Sequence, residues 1–337
     1  MTRAAPPRLL RPRALAPGDL VVIASLSGPL HVEHAPDLRL AVAELVRMGF
    51  RVRLAPLLEA GRRHWWSAAR PAEIAEELNG LLRDPEVRAI VAHDGGQTAL
   101  GYLDLIDVEA ITADPKPILG YSDISLLHLV LYARTGLVGF HADLATPGLG
   151  GAWQTAPAAR RAELAELYST LLTSAEPIGA LPTGPSWECW RPGRAEGRLI
   201  GAVINRIVLA QATPYALPLE RFDGAVLFWE ESGGLAAYVW SYLQVLRHCG
   251  ILDRISGMVV GVPHAIDGLD ASPSLREIVL DVLGDRDIPV LGNVEFGHAG
   301  PNLPMPVGIR VGLDARERTL SLLEPAVRLP TATGPVG

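Results

Sequence analysis

Residues 117–124 read Pro-Ile-Leu-Gly-Tyr-Ser-Asp-Ile: a short apolar run stops at a glycine, turns, and restarts as an apolar stretch over 124–134. Such a run is a buried strand feeding a helix through a tight turn. Working outward, the same alternation repeats upstream. Residues 19–25 (DLVVIAS) predict a buried strand, 37–48 a helix, 51–54 a second strand, 71–82 a helix and 87–92 (VRAIVA) a third strand that runs into Asp94-Gly95-Gly96. A further helix is expected over 98–105. Strands alternating with helices predict an α/β fold with a helix-covered parallel sheet and function at the carboxyl ends of its strands.

Beyond residue 139 the texture changes. Residues 147–151 (PGLGG) and 174–192 are rich in Gly, Pro and Ser, with a helix expected between them over 158–172. From residue 194 onward the pattern suggests shorter strands, at 225–229 and 257–262, and an amphipathic helix over 235–248. A closing strand pair, 308–313 and 319–323, is joined by a charged turn (DARER). An N-terminal domain over 1–175 and a second over 176–337 are expected.

The 337 residues, 49% of them hydrophobic, suffice for two cores. A formal net charge of -7 supplies no basic field for nucleic acid or anionic lipid. Cys189 and Cys249 make neither a disulfide framework nor a zinc motif, and His93-Asp94 is a poor chelate, so no metal is expected. The arginine- and proline-rich first twenty residues lack the apolar stretch of a secretory signal, and no run reaches membrane-spanning length. A cytoplasmic protein is expected.

A serine at a strand-to-helix junction suits a nucleophile elbow, with the next amide, that of Asp123, aimed where an oxyanion would form. From the spacing alone a helix cap suits it better, since the glycine that usually follows an elbow serine is missing. Gly95-Gly96 lets backbone approach a ligand closely. Among candidate bases, His128 lies six residues beyond Ser122 on the same helix and faces away. His141 follows a short apolar run, and His298 sits in a loop rich in Gly and Pro. Glu230 and Glu231 end an apolar strand, where a carboxylate can hold an imidazole in one tautomer.

Taken in order, these segments resemble the LD-carboxypeptidase family of serine peptidases. The likeness runs through Ile23-Ala24-Ser25 to Pro29, Gly95-Gly96, Pro115 to Asp123, Gly136 to His141, Leu227 to Glu230, Gly250 to Gly257, and Gly297-His298 through Asn302 to Gly308. The resemblance implies a Rossmann-like N-terminal domain bearing the nucleophile Ser122. It also implies a C-terminal swivelling β-barrel-type domain bearing the triad acid Glu230 and the base His298. The backbone amides of Gly96 and Asp123 would form the oxyanion hole. It implies no cofactor and a small peptide substrate cleaved at an L,D bond, such as a peptidoglycan stem tetrapeptide.

Two alternatives stay open: a microcin-immunity-like or biosynthetic amide hydrolase acting on a modified peptide, and an inactive binding protein of the same fold. A homodimer is also left open. The chain departs from the family pattern at Gln97, at Ala202, at Trp240-Ser241 and at Ala142-Asp143, which follows His141 where relatives have Gly-Pro. A rebuilt substrate pocket is therefore expected, lined by Gln97, Trp190, Trp240 and Ser241, with Trp187 as a further contributor.

Overall fold

The computed structural model describes residues 8–269 and 272–330. Strands β1 (Leu20–Ala24), β2 (Arg51–Leu54), β3 (Val87–Ala92), β4 (Ile118–Leu119) and β5 (Gly139–His141) form a parallel array in the order β2-β1-β3-β4-β5. Every residue of β1 and β3 is buried, which is why β1 reads as an unbroken apolar run and β3 as one interrupted only by Arg88. This is a doubly wound order whose switch point lies between β1 and β3, where the chain ends splay to leave a crevice.

Four helices accompany these strands: α1 (Ala35–Arg47), α2 (Pro71–Arg83), α3 (Val108–Ala113) and α4 (Ile124–Thr135). The α2 terminus follows its sequence, with Pro71 in the first turn and the Arg70 amide donating to Glu73 at 2.9 Å. The helix expected over 98–105 is instead two short 3-10 turns, Ala99–Gly101 and Leu103–Leu105. The reason is local. The amides of Thr98 and Ala99 are held by the Asp123 carboxylate at 2.7 and 2.8 Å, which fixes the start of the segment to the Ser122 loop.

After β5 come a π-helical segment (Ala145–Ala152), a single turn α5 (Trp153–Thr155) and α6 (Ala158–Thr173). The remaining elements are β6 (Gly179–Ala180), β7 (Glu188–Arg191), β8 (Arg194–Val203), α7 (Ile204–Gln211), β9 (Val226–Glu230) and α8 (Ala236–His248). Then follow β10 (Gly257–Gly261), α9 (Leu275–Leu283), β11 (Val290–Val294), β12 (Met305–Val307), β13 (Arg310–Asp314) and β14 (Thr319–Leu322). They build an eight-stranded sheet in the order β6-β14-β13-β8-β9-β10-β11-β7. Within it β8, β9, β10 and β11 run parallel.

Strand β8 is ten residues long, and its polar, half-exposed first half hides it from a hydrophobicity reading. β12 does not join the second sheet but pairs antiparallel with β5, so the first sheet draws its edge strand from the far end of the chain. Helix α4 is buried nearly all round because it packs against β5 of one sheet and β8 of the other. It ends at Gly136, whose φ of 78° is the left-handed C-cap conformation. Among the described residues, no helix is long and apolar enough to cross a membrane.

Candidate active site

Ser122 stands between β4 and α4 with φ +60°, a left-handed conformation unusual for a residue with a side chain. Strain of this kind, about 1–3 kcal/mol, persists only where the surroundings enforce it. Here the Ser122 carbonyl accepts from the Ser125 amide at 3.1 Å and from Ser125 Oγ at 2.6 Å. The serine is not a helix cap, because the capping position belongs to Asp123. Gly95 has to be glycine: a Cβ there would fall 2.6 Å from Ser122 Oγ.

Asp123 is buried, and its carboxylate accepts from Ser27 Oγ at 2.6 Å as well as from the Thr98 and Ala99 amides. Arg206 of α7 ion-pairs with it at 3.1 Å, and the same guanidinium donates to the Gly96 carbonyl at 3.0 Å and to Gln97 Oε1 at 2.7 Å. One arginine from the helix that follows β8 thus ties together the glycine turn and the serine loop. Among the described residues, the Gly96 and Asp123 amides make no hydrogen bond within the protein, so both remain available to an acceptor.

From the other sheet, β9 delivers Glu230 and β11 leads into the His298 loop. His298 Nδ1 lies 2.9 Å from Glu230 Oε2, and His298 Nε2 lies 3.2 Å from Ser122 Oγ. With the Nδ1 proton donated to the carboxylate, Nε2 is left to accept from the serine hydroxyl. Gly297, at φ +101°, allows the close approach, since a Cβ there would fall 2.6 Å from Glu230 Cδ. Burial pulls the imidazole pKa down. The hydrogen bond and charge of Glu230, with Glu231 and Asp94 behind it, outweigh that and leave it above the ordinary value of 6.5.

Neighbouring Glu231 turns away to Asn205 Nδ2 at 2.9 Å, and burial, reinforced by the Glu230 charge, pushes it up to about 7. The adjacent acids are therefore distinguished by direction. The His298 loop is held from the first sheet by Asp143, a buried carboxylate that accepts from the Asn302 amide at 2.9 Å, Asn302 Nδ2 at 2.6 Å and Trp153 Nε1 at 2.6 Å.

These groups border a cleft of about 400 Å³. Its walls are strand-end loops of both sheets: Gly28 and Pro29 after β1, Asp94 to Gly96 after β3, Ser122 after β4, Leu144 and Pro147 after β5, His264 after β10 and His298 after β11. A hydroxyl, a base and two amides converge where a carbonyl carbon would sit, which is what acyl transfer requires. Among the described residues, no group of three or more His, Cys, Asp or Glu is arranged to hold a metal.

The pocket residues expected from sequence do not line this cleft. Trp190 is buried on β7, its ring filling the space over Gly292, and Trp187 is buried with its indole N–H on Glu295. Trp240 walls a separate apolar groove, and Ser241 Oγ donates to the Ala237 carbonyl within α8. Gln97 is exposed and engaged by Arg206. His141 is buried against Phe228 and Phe296, and His128 is bound to the Gly120 carbonyl at 2.9 Å. The reading missed His31, Trp66 and His264 on the cleft wall and the Arg206 and Asp143 ties behind it. Only the Trp65-Trp66 pair carried a visible signal.

Comparison with known proteins agrees with this architecture. The family pattern for the LD-carboxypeptidase N-terminal domain matches residues 21–142, and that for the LD-carboxypeptidase C-terminal domain matches residues 196–313. A Streptomyces coelicolor protein named as a carboxypeptidase is 31% identical over 326 residues, covering 96% of this chain and 99% of its own. The murein tetrapeptide carboxypeptidase of Pseudomonas aeruginosa is 26% identical over 253 residues, 73% of this chain and 78% of its own. The microcin C7 self-immunity protein MccF of Escherichia coli is 27% identical over 329 residues, 92% of this chain and 94% of its own. A solved MccF structure in complex with aspartyl sulfamoyl adenosine, 25% identical, superposes with a TM-score of 0.84 over 95% of this chain and 100% of that one. The chain belongs to the LD-carboxypeptidase family of hydrolases.

Proposed function

We propose that Ser122, His298 and Glu230 act as a catalytic triad in the hydrolysis of a peptide or peptide-like amide. The observation that carries this reading is the continuous contact from Glu230 through His298 to Ser122, assembled from two sheets. Ser122 Oγ attacks the scissile carbonyl while His298 takes its proton. The tetrahedral oxyanion is received by the Gly96 and Asp123 amides. Collapse expels the amine, protonated by His298, and leaves an acyl-serine that water, activated by the same imidazole, hydrolyses to the free acid. No cofactor enters these steps. We place the enzyme in the cytoplasm, acting on a short peptide with an L,D bond.

A second reading, a modified peptide amide in place of a free C-terminus, is favoured by one observation. Among the described residues lining the cleft there is no arginine or lysine, and the acidic Asp94 is present. A terminal carboxylate in a partly desolvated site is best met by a guanidinium. The nearby Arg206 is committed to Asp123, Gly96 and Gln97.

Labelling with a fluorophosphonate tests the shared chemistry: an adduct on the wild type that vanishes in Ser122→Ala supports it, and labelling that persists refutes it. Turnover of N-acetyl-L-Ala-D-Ala against its C-terminal amide then separates the two readings, and a strong preference for the free acid removes the second.

A further inference from the structure

We propose that the hairpin tip at residues 64–67 is a substrate subsite in which Trp66 forms a platform for a planar aromatic group; this rests on Ser122 being the nucleophile. The tip is closed by two backbone hydrogen bonds, His64 N to Ser67 O at 2.7 Å and Ser67 N to His64 O at 2.9 Å, leaving Trp65 and Trp66 at its corners. Such corners ordinarily hold Gly, Asn or Asp, because the chain there turns through left-handed conformations. Trp65 does so at φ +56°. The tip nonetheless presents two indoles to water, 73% and 63% exposed. A single exposed apolar residue needs no explanation, but two adjacent exposed indoles, Trp65 held at a strained φ and Trp66 lining a reactive cleft, do.

Their arrangement is braced. The His64 ring stacks on Trp65 at 4.3 Å between centroids, and Trp65 leans on Trp66 at 5.5 Å. The tip is also registered to the serine loop. The Ser27 carbonyl accepts from the Ala68 amide at 3.0 Å and from Ser67 Oγ at 3.2 Å, while Ser27 Oγ donates to Asp123 at 2.6 Å. One serine therefore links the platform to the residue that follows the nucleophile. Trp66 shares the cleft wall with Pro29, His31, Leu144, Pro147 and His264, and the His264 ring lies nearly parallel to that of His298 at 6.4 Å. Flat rings and proline faces beside a reactive serine suit an aromatic ring on the substrate better than a small charged terminus.

The test compares three probes, N-acetyl-L-Ala-D-Ala, N-acetyl-L-Ala-D-Phe and N-acetyl-L-Phe-D-Ala, each also as its C-terminal amide. The two phenylalanine probes distinguish a ring on the leaving side from one on the acyl side. The wild type should favour one aromatic probe over the alanine probe by about tenfold in kcat/KM, within what an aromatic contact supplies. Trp66→Ala should collapse that ratio through KM, Trp66→Phe should restore part of it, and Trp65→Ala should lower it less. Equal losses on aromatic and alanine probes, or an unchanged ratio in Trp66→Ala, would overturn the proposal.

If Ser122 takes no fluorophosphonate, the nucleophile assignment fails separately. The platform is then judged by quenching of indole emission on adding the aromatic probes. Quenching that disappears in Trp66→Phe supports it, and quenching that survives that change, or none at all, overturns it.

Discussion

Two of the hollows among the described residues differ in kind. The cleft over Ser122 has a volume of about 400 Å³, while the groove between α8 and α9 has about 600 Å³. The groove is the more apolar, walled by Leu235, Trp240, Pro273 and Ile278 and edged by Asp267, Glu277 and Asp281. Size and apolarity alone would choose the groove. Convergence of polar groups chooses the cleft, where loops at the carboxyl ends of parallel strands from both sheets meet over one hydroxyl. The two hollows are neighbours along the chain: the bridge from Ser232 to His264 borders the cleft and the bridge from Leu235 to Asp267 borders the groove. Among the described residues, none lines both.

The sharpest way to break this contrast is to disable the cleft. Ser122→Ala or His298→Ala should lower kcat by about 10⁴-fold or more, leaving the residual rate that an oxyanion site and binding alone provide. Glu230→Gln should cost about 10³- to 10⁴-fold, since the imidazole keeps its place but loses its carboxylate. Steady-state kinetics with unchanged circular dichroism would check this. Near wild-type turnover in Ser122→Ala would move the chemistry elsewhere.

How much of this was legible differs between the halves. β1 and β3 are buried on both faces, so β1 announces itself as a continuous apolar run and β3 as one broken only by Arg88, and the parallel N-terminal sheet follows. In the second half, β8 alternates exposure in its polar first half, and the four-strand parallel array built on it was read as scattered short strands. The site residues divide the same way. An elbow serine can be seen in a strand-to-helix junction, but a loop rich in Gly and Pro only makes His298 a candidate beside His141, and nothing local distinguishes Glu230 from Glu231. Those assignments came from the family likeness. Asp143 meets Asn302 159 positions away and Arg206 meets Gly96 110 positions away, separations no spacing rule reaches, so both ties were invisible before the chain was folded.

The pH profile sharpens the contrast next. The imidazole must be neutral to accept the serine proton, so kcat/KM should rise with pH through the His298 pKa, which lies above 6.5 in the free enzyme. In Glu230→Gln the raising influence of that carboxylate is gone while the burial that lowers the pKa remains. The acid limb should therefore move to lower pH even as the plateau falls. A limb that stays in place would mean that another group governs it.

A smaller effect is expected at the clasp behind the base. Asp143→Asn offers one acceptor oxygen where the carboxylate offered two, so at least one of Trp153 Nε1, Asn302 N or Asn302 Nδ2 loses its partner. A buried donor left unpaired costs about 1–3 kcal/mol. Thermal melts should show that loss, and kcat/KM should fall by about tenfold as the His298 loop loosens, the equivalent of roughly 1.4 kcal/mol. A stability loss with full activity would show that the clasp supports the fold without positioning the base.

The smallest effect is expected at Trp240. It is 44% exposed, walls the groove with Leu235 and Ile278, and is not among the residues lining the cleft. Its neighbour Ser241 is satisfied within its own helix by the Ala237 carbonyl at 2.8 Å. Substitutions at exposed positions away from buried networks usually change stability by about 0.5 kcal/mol or less, and sites without shared partners act independently. Trp240→Ala should therefore leave kcat/KM within about twofold of the wild type on every probe, a change below roughly 0.5 kcal/mol. The route by which it would do otherwise is specific. Leu235, at the start of α8, is bridged to Asp267, and three residues before Asp267 lies His264 on the cleft wall. Removing the indole could let that pair shift and carry His264 with it. A loss greater than tenfold, confined to aromatic probes, would mean that groove and cleft are one extended binding surface joined through residues 264–267, and the separation between the two hollows would have to be given up.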